Sequence, residues 1–310
     1  MRIVRQDALG GPDVLYITTV DRPRPGPTEV LVKVLAAGVN PIDWQTRRHG
    51  TYYDDPLPFT VGWDVAGLVE EVGEGVTRFV PGDHVLGMPR FPRLAAGYAE
   101  HVTGPSRHFA LTPAGMPATE AAGLPLAGLT AWQILVDTAD VQPGQRVLVH
   151  AAAGGVGHLA VQIAKARGAY VIGTASAAKH EMVRGLGADE VIDYRTTEVA
   201  AVIDGLDLVV DLVGGTTALK SVPVLGTGGL AVLAASDVDD RLRAEADRAR
   251  VRVSEFLVEP DHAGLTALTD LAERGRLRVR VDTVLPLAEA SRAHELSETG
   301  RVTGKIVLVP

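Results

Sequence analysis

A glycine-rich turn in the middle of the chain separates an apolar run from a helical pattern. The segment Val147–Gly157 reads VLVHAAAGGVG and continues into HLAVQIAKARGA. Ala152, Gly154 and Gly157 fit the spacing G-x-G-x-x-G/A, with alanine in place of the first glycine. This pattern lets backbone N–H groups approach a pyrophosphate at the positive end of a helix. Alone it would fit a strand–helix turn of any α/β protein, but the strand AYVIGTAS follows, as a βαβ unit requires.

The charge of that following strand bears on the choice of dinucleotide. Sites that prefer NAD place an acidic residue on the ribose 2′-OH about 20 residues beyond the glycine turn. Here the region reads GTAS and ends at Ser176, and Lys179 and His180 lie just beyond it. Lys179 alone would be read as a solvated surface lysine. An acidic residue at this place would repel a 2′-phosphate, and none is present. Together with this absence, Lys179 favours NADPH.

A polar segment interrupts the N-terminal third of the chain. Asn40–Tyr53 reads NPIDWQTRRHGTYY and breaks the surrounding strand pattern with a proline, aromatic residues and paired arginines. Irregular inserts between strands often carry function. We therefore expect an irregular functional insert here, with a surface turn anchored by Trp44 as an equally supported alternative.

Two patterns of periodicity predict two domains. The first third contains short β-rich runs, ITTV, EVLVKVLAAGV, VAGLVEEVG and HVLGM, which suggest a barrel-like domain. From Gln145 to about Glu259, apolar strands alternate with helices, which predicts a parallel sheet covered on both faces. An apolar helical stretch over Thr119–Thr138 connects the two domains despite Pro125, and the last strands, VDTVLP and GKIVLVP, return to the first domain.

Composition excludes several classes of protein. The 310 residues carry a net charge of −8 without a clustered basic stripe, so we expect no nucleic-acid partner. The chain has no cysteine, which excludes disulfides, thiol catalysis and cysteine-ligated metals. No apolar run reaches the length of a membrane span, so we expect a soluble, cytoplasmic protein with no membrane partner.

The order of the motifs resembles the zinc-independent quinone oxidoreductase, or zeta-crystallin-like, branch of the medium-chain dehydrogenase/reductase superfamily. The shared motifs are AAGVNPIDW, LPFTVGWDVAGLVEEVGEGV, PGDHV, GYAEHV, LPLAGLTAW, PGQRVLVHAAAGGVGHLAVQIAKARGA, GADEVIDYR, DLVVDLVGG and GKIVL. The resemblance implies an α/β protein with a GroES-like β-rich catalytic domain, residues 1–120 and 262–310. It also implies a doubly wound Rossmann domain, residues 121–261, and a cleft between the domains for nicotinamide and substrate.

The chain departs from the zinc-dependent relatives at the positions of the metal ligands. Asn40 stands where those relatives have a cysteine ligand, and Gly62-Trp63-Asp64 replaces their Gly-His-Glu. Without these ligands no tetrahedral catalytic zinc site can form. We therefore expect no metal, and direct hydride transfer as the reaction.

The resemblance implies roles for individual residues. It places Asn40 beside the nicotinamide ribose, Tyr52 at the mouth of the cleft and Thr130 near the carboxamide. Tyr52 would donate the proton, or water would. The expected cofactor-binding residues are Asn40, Thr130, Gly154, Gly155, Val156, Thr174, Ser176, Lys179, Tyr194, Phe256 and Leu257. Within this set, Lys179 and Tyr194 would hold the 2′-phosphate. Phe256 and Leu257 would line the nicotinamide pocket, unless they only pack in the core.

These expectations define one main function and two alternatives. The main function is NADPH-dependent hydride transfer to a quinone or an α,β-unsaturated carbonyl compound. An enoyl-thioester reductase of natural-product biosynthesis would need a basic pocket for the carrier phosphate, for which Arg47, Arg48, Arg90 and Arg93 are candidates. A non-catalytic NADPH-binding sensor or structural protein is the third possibility. The resemblance also implies a homodimer, because members of that branch commonly pair the last Rossmann strand across a two-fold axis, and this strand, near Val251–Phe256, should lie at an unpaired sheet edge.

Overall fold

The computed structural model describes residues 1–310, which form two compact units. The first comprises Met1–Leu129 and Glu259–Pro310, and the second comprises Thr130–Val258. The domain limits given above, after residue 120 and before residue 262, stay predictions. None of the helices is long and apolar enough to cross a membrane.

The strands are β1 (Arg2–Arg5), β2 (Tyr16–Thr19), β3 (Glu29–Val39), β4 (Asp64–Val72), β5 (His84–Gly87), β6 (His101–Pro105), β7 (Phe109–Leu111), β8 (Arg146–Val149), β9 (Tyr170–Thr174), β10 (Glu190–Ile192), β11 (Leu206–Asp211), β12 (Leu225–Leu233), β13 (Arg252–Glu255), β14 (Val281–Pro286) and β15 (Lys305–Val309). The α-helices are α1 (Pro41–His49), α2 (Ala118–Ala122), α3 (Pro125–Trp132), α4 (Gly157–Ala166), α5 (His180–Gly185), α6 (Thr216–Ser221), α7 (Asp240–Ala249), α8 (His262–Glu273) and α9 (Ala290–Glu298). Short 3₁₀ turns and one π-helix, Gln133–Thr138, complete the elements.

The second unit is built on a fully parallel six-stranded sheet. Its strand order is β10-β9-β8-β11-β12-β13, so the chain runs outward from β8 in one direction and then in the other. This is the doubly wound order, in which ligands bind at the carboxyl ends of the strands where the direction reverses. The buried strands β8, β9 and β11 show the near-continuous apolar pattern of such sheets. The predicted Rossmann fold is confirmed, and β13 lies at the sheet edge.

The first unit contains a mixed sheet that joins the two ends of the chain. Its order is β14-β15-β3-β4-β5-β7, and β6 also pairs with β3. All of these pairs are antiparallel except β14 with β15. The C-terminal strand β15 pairs with β3, which confirms that the last strands return to the first domain. The apolar core of this unit includes Val32, Val65 and Phe109.

Two predicted segments differ from the structure. Most of the expected irregular insert is the regular helix α1, because Pro41 suits its first turn and Asp43 caps it by accepting from the N–H of Asn40. Only the part from Gly50 onward is irregular. The expected continuous helix over Thr119–Thr138 is broken between α2 and α3, since Pro125 lacks the N–H that a helix interior needs and instead begins α3.

Candidate active site

The predicted dinucleotide turn lies between β8 and α4 of the second unit. A Cβ atom at Gly157 would lie 2.2 Å from the backbone oxygen of Ala151, so only glycine allows this close approach. Gly154 donates its N–H to Ala151, whereas the N–H groups of Gly155 and Val156 donate no hydrogen bond within the chain. Free N–H groups at the start of a ten-residue helix attract an anion. These residues fit the pyrophosphate of a dinucleotide cofactor.

A buried histidine supports this turn. His150 Nε2 lies 2.8 Å from Ser221 Oγ, which itself donates to the carbonyl of Thr217, so Nε2 must carry the proton. Its Nδ1 therefore accepts from Thr174 Oγ1, at 3.2 Å, and that hydroxyl oxygen accepts from the N–H of Ala151. Burial lowers the pKa of His150, in agreement with a neutral ring. The hydrogen bonds thus connect Thr174 to the turn.

The predicted 2′-phosphate residues meet at one corner of this sheet. Ser176 follows β9 and is buried, and its carbonyl accepts from the N–H of Lys179 at 2.8 Å. Tyr194 follows the neighbouring strand β10 and is exposed. Because β9 and β10 are adjacent and parallel, their carboxyl ends bring Ser176, Lys179 and Tyr194 to the same corner.

One carboxylate at this corner, that of Asp193, was not among the residues predicted from the sequence. Asp193 Oδ2 accepts from the N–H of Ala177 at 3.1 Å, and Oδ1 accepts from the N–H of Arg195 at 3.0 Å. Both oxygens therefore bind backbone donors. The Arg195 guanidinium lies 5.9 Å from the ring centroid of Tyr194 and brings positive charge to the same corner.

Three other predicted residues lie at two places in the second unit. Phe256 follows β13 and donates its N–H to Leu233 at 3.0 Å, and Leu257 is half exposed. Both lie at the carboxyl edge of the parallel sheet, as the glycine turn does. Thr130 is buried in α3 rather than at a strand end.

In the first unit, Asn40 belongs to a buried charged cluster. Its Nδ2 donates to Asp64 Oδ2 at 2.9 Å, and its Oδ1 accepts from Lys305 Nζ at 2.5 Å. Lys305 Nζ also lies 3.4 Å from Asp64 Oδ2, and Asp64 Oδ1 accepts from the N–H of Leu126. An ammonium only donates, so the Asn40 amide is fixed with its oxygen toward Lys305. Burial raises the pKa of Asp64, while Lys305 and Asn40 oppose that rise.

A second buried chain of hydrogen bonds ends beside Asn40. Asp43 Oδ2 accepts from the N–H of Asn40 at 2.7 Å and from the Tyr98 hydroxyl at 2.9 Å. His294 lies between Tyr98 and Arg47, at 3.3 Å from each. Because a guanidinium only donates, His294 Nδ1 accepts and Nε2 donates to Tyr98. The donors therefore point in one direction, from Arg47 to Asp43.

Burial shifts the pKa values of two members of this hydrogen-bond chain, Asp43 and His294. It raises the pKa of Asp43 from 3.8 to about 7, and Oδ1 of this residue is buried without a partner. Oδ2 already accepts two hydrogen bonds, so a proton on Asp43 belongs on Oδ1. Burial, with the Arg47 charge, lowers the pKa of His294 from 6.5 to about 3. His294 is therefore neutral at physiological pH.

Tyr52 belongs to an aromatic patch on the same unit. Its ring meets that of Phe91 edge to face, with centroids 6.4 Å apart, and Phe91 meets Trp63 at 5.4 Å. Arg93 lies over the Tyr53 ring, with its guanidinium carbon 4.1 Å from the centroid. We call Tyr52, Tyr53, Trp63, Phe91 and Arg93 the aromatic patch. Tyr52 and Tyr53 are both about half exposed, at 55% and 49%.

Most of the arginines considered for a carrier phosphate are neutralised. Three of the four pair with carboxylates: Arg47 and Arg48 with Glu298, and Arg90 with Glu29. Only Arg93 forms no ion pair. The structure does not assemble these four side chains into a basic pocket. No three histidine, aspartate or glutamate side chains lie close enough together to hold one metal ion.

Asp64 and Lys305, the partners of Asn40, were not among the site residues predicted from the sequence. Each stands at the start of an otherwise apolar strand, DVAGLV or KIVLV. A charged residue at a buried strand position requires an opposite charge or a full set of hydrogen bonds. That rule identifies both residues as members of a buried polar cluster, although it does not pair them with each other.

Comparisons with known proteins cover the whole chain. Residues 26–143 match the family model described as the alcohol dehydrogenase GroES-like domain, and residues 186–308 match that of the zinc-binding dehydrogenases. The chain is 36% identical to a 2-haloacrylate reductase from Burkholderia sp., over 97% of this chain and 96% of that protein. It is 36% identical to the solved quinone oxidoreductase of Coxiella burnetii, with a TM-score of 0.94 and coverage of 100% and 99%. The Escherichia coli quinone oxidoreductase complexed with NADPH is 30% identical, with a TM-score of 0.89 and full coverage of both chains.

Proposed function

The chain belongs to the zinc-independent quinone oxidoreductase branch of the medium-chain dehydrogenase/reductase superfamily, and from this premise we propose that it uses NADPH to reduce quinones and α,β-unsaturated carbonyl compounds without a metal. The observation that carries the proposal is the turn before α4, where Gly155 and Val156 present free N–H groups to an anion. The relatives include a reductase of 2-haloacrylate, an activated alkene, and a quinone oxidoreductase. When bound, the dinucleotide supplies the hydride, and the protein supplies position and electrostatics.

The test is an NADPH oxidation assay with a panel of acceptors. The panel holds a naphthoquinone, an alkenal, a cyclic enone, 2-chloroacrylate and an enoyl thioester. We expect oxidation with quinones or enones, with deuterium from labelled NADPH appearing at the β-carbon of a reduced enone. Prolonged chelation should leave the rate unchanged. Turnover of the thioester alone would favour the enoyl-thioester reductase, and no turnover at all would favour a non-catalytic NADPH-binding protein.

The preference for NADPH is supported by the corner formed by Ser176, Lys179 and Tyr194. We expect Lys179→Glu to raise KM for NADPH far more than KM for NADH, because it replaces attraction of the 2′-phosphate by repulsion. Steady-state kinetics with both cofactors measures this split. Arg184→Glu is the matched control, since it makes the same charge change on the exposed side of α5. An equal rise for both cofactors, or wild-type activity with NADH equal to that with NADPH, would contradict the assignment.

In the first unit, we propose that Asn40 contacts the nicotinamide ribose and that Tyr52 faces the acceptor. The buried cluster holds the Asn40 amide in one orientation, as a cofactor contact requires. The proton that completes reduction then comes from solvent, because Tyr52 is about half exposed and water is therefore present beside its hydroxyl. Thr130, Phe256 and Leu257 contact the nicotinamide in this proposal.

Replacing Tyr52 tests the source of this proton. We expect Tyr52→Phe to lower kcat and kcat/KM only a few-fold, whereas loss of a general acid typically costs about 10²–10⁴-fold. Solvent deuterium should still enter the α-carbon of a reduced enone. Tyr53→Phe is the matched comparison, because it removes the neighbouring hydroxyl. A hundredfold loss in Tyr52→Phe alone would identify Tyr52 as the acid.

We also propose that the protein is a cytoplasmic homodimer. The edge strand β13 offers unpaired backbone groups, and symmetric antiparallel pairing about its centre would set Arg252 of each copy opposite Glu255 of the other. We expect a dimer in sedimentation velocity at micromolar concentration and a shift toward monomer in Arg252→Glu. A wild-type monomer under these conditions would refute the proposal.

A further inference from the structure

One cation of the aromatic patch is held in place and has no anionic partner. Arg93 lies 4.1 Å above the Tyr53 ring, a geometry in which the ring face attracts and orients a guanidinium. Both side chains are exposed. Asp54 and Asp55 follow Tyr53 in the chain, and neither forms an ion pair with Arg93. The N–H donors of Arg93 are therefore available to a ligand.

The backbone of Arg93 ties this cation to the rest of the patch. Its carbonyl accepts from Trp63 Nε1 at 2.8 Å, and Trp63 packs edge to face on Phe91, which contacts Tyr52. Trp63 also immediately precedes Asp64, the partner of Asn40. The guanidinium thus belongs to the same surface as Tyr52, the residue proposed to face the acceptor.

We propose that Arg93 and Tyr53 form a subsite for an anionic group of the acceptor, so that the enzyme selects unsaturated carbonyl compounds that carry a carboxylate. The inference rests on the proposed function. A guanidinium presents two parallel N–H donors that match a carboxylate, and stacking on Tyr53 reduces the freedom lost on binding. With Arg47, Arg48 and Arg90 paired, a single free guanidinium suits one carboxylate better than the several phosphate oxygens of a carrier.

The test compares an acid with its own methyl ester. The acceptors are (E)-4-oxopent-2-enoic acid and its methyl ester. The difference in their intrinsic reactivity is the same for wild type and variant, so it cancels when the acid-to-ester ratios of the two proteins are compared. We expect Arg93→Gln to lower the acid-to-ester ratio of kcat/KM by about tenfold to a hundredfold, the size of one charge-assisted contact. Arg93→Lys should lower it less, and raised ionic strength should lower the wild-type ratio toward that of Arg93→Gln.

The controls separate this subsite from general effects. Arg78→Gln removes another exposed, unpaired arginine of the same unit and should leave the ratio at the wild-type value. An unchanged ratio in Arg93→Gln, including equal losses for acid and ester, overturns the proposal. A wild-type protein that reduces neither the acid, nor the ester, nor any quinone overturns the proposed function instead. Circular dichroism of each variant confirms that it is folded.

Discussion

Lys305→Met is expected to lower the free energy of unfolding by about 3–5 kcal/mol, the typical cost of leaving one member of a buried ion pair without its partner. Asp64 is completely buried and Lys305 is 2% exposed, so water cannot replace the missing ammonium. The Asn40 amide oxygen loses the same partner. Denaturant unfolding at neutral pH measures the loss, and we expect the surviving folded enzyme to show a raised KM for NADPH because Asn40 is no longer oriented.

The double variant Lys305→Met, Asp64→Asn makes this prediction specific. Removing both charges leaves no unpaired carboxylate, so we expect it to recover a large part of the stability lost by Lys305→Met. A double-mutant cycle gives the coupling between the two side chains. Additive losses would show that the two residues stabilise the fold independently and that the ion pair is not their main contribution.

The second large effect concerns the pH dependence of stability. The pKa of Asp43 is raised from 3.8 to about 7, so its contribution is full below pH 3.8 and is lost as pH rises toward 7. The pKa of His294 is lowered from 6.5 to about 3, so its contribution is full above pH 6.5 and is lost as pH falls toward 3. The contributions of Asp43 and His294 to the free energy of unfolding change with pH in opposite directions. They offset each other between about pH 4 and pH 6.5.

Two neutral replacements should separate these two contributions. Relative to wild type, Asp43→Asn is expected to gain stability as pH rises from 4 to 7, by up to about 1.4 kcal/mol per pH unit. His294→Gln is expected to gain stability relative to wild type as pH falls from 6.5. Urea unfolding of the three proteins at constant ionic strength measures both differences, from which the contributions of Asp64 and other groups cancel to first order. If the free energies of unfolding of all three proteins changed with pH in parallel, the proposed titration of Asp43 and His294 would be contradicted.

The regular elements of the second unit could be predicted because each depends on neighbouring residues. Strands such as RVLVH and DLVVDLV are apolar over their whole length, and the glycine turn has a fixed spacing. The helix α1 was missed because its buried residues are polar: Asp43 accepts from Tyr98 and Arg47 donates to Glu298, so the segment lacks the apolar face that marks a helix.

The pairings within the charged cluster around Asn40 could not be predicted, since its members are far apart in the sequence. Asn40 is 24 residues from Asp64 and 265 residues from Lys305. No periodicity connects residues over such distances. Only the pairing of β15 with β3 and of β3 with β4 brings these three side chains together.

The same separation sets the order in which the chain can fold as it leaves the ribosome. The second unit is one continuous segment, Thr130–Val258, and can close once that segment has emerged. The first unit cannot, because β3 pairs with a strand made 265 residues after Asn40, which takes on the order of tens of seconds at usual rates of synthesis. During that interval Asp64 and Asn40 have no Lys305 to bind, and the edge of β3 that later receives β15 is open. A nascent chain stalled before residue 305 should therefore contain a folded dinucleotide-binding unit and an incomplete mixed sheet in the first unit. We expect the chain to depend most on chaperones in this state.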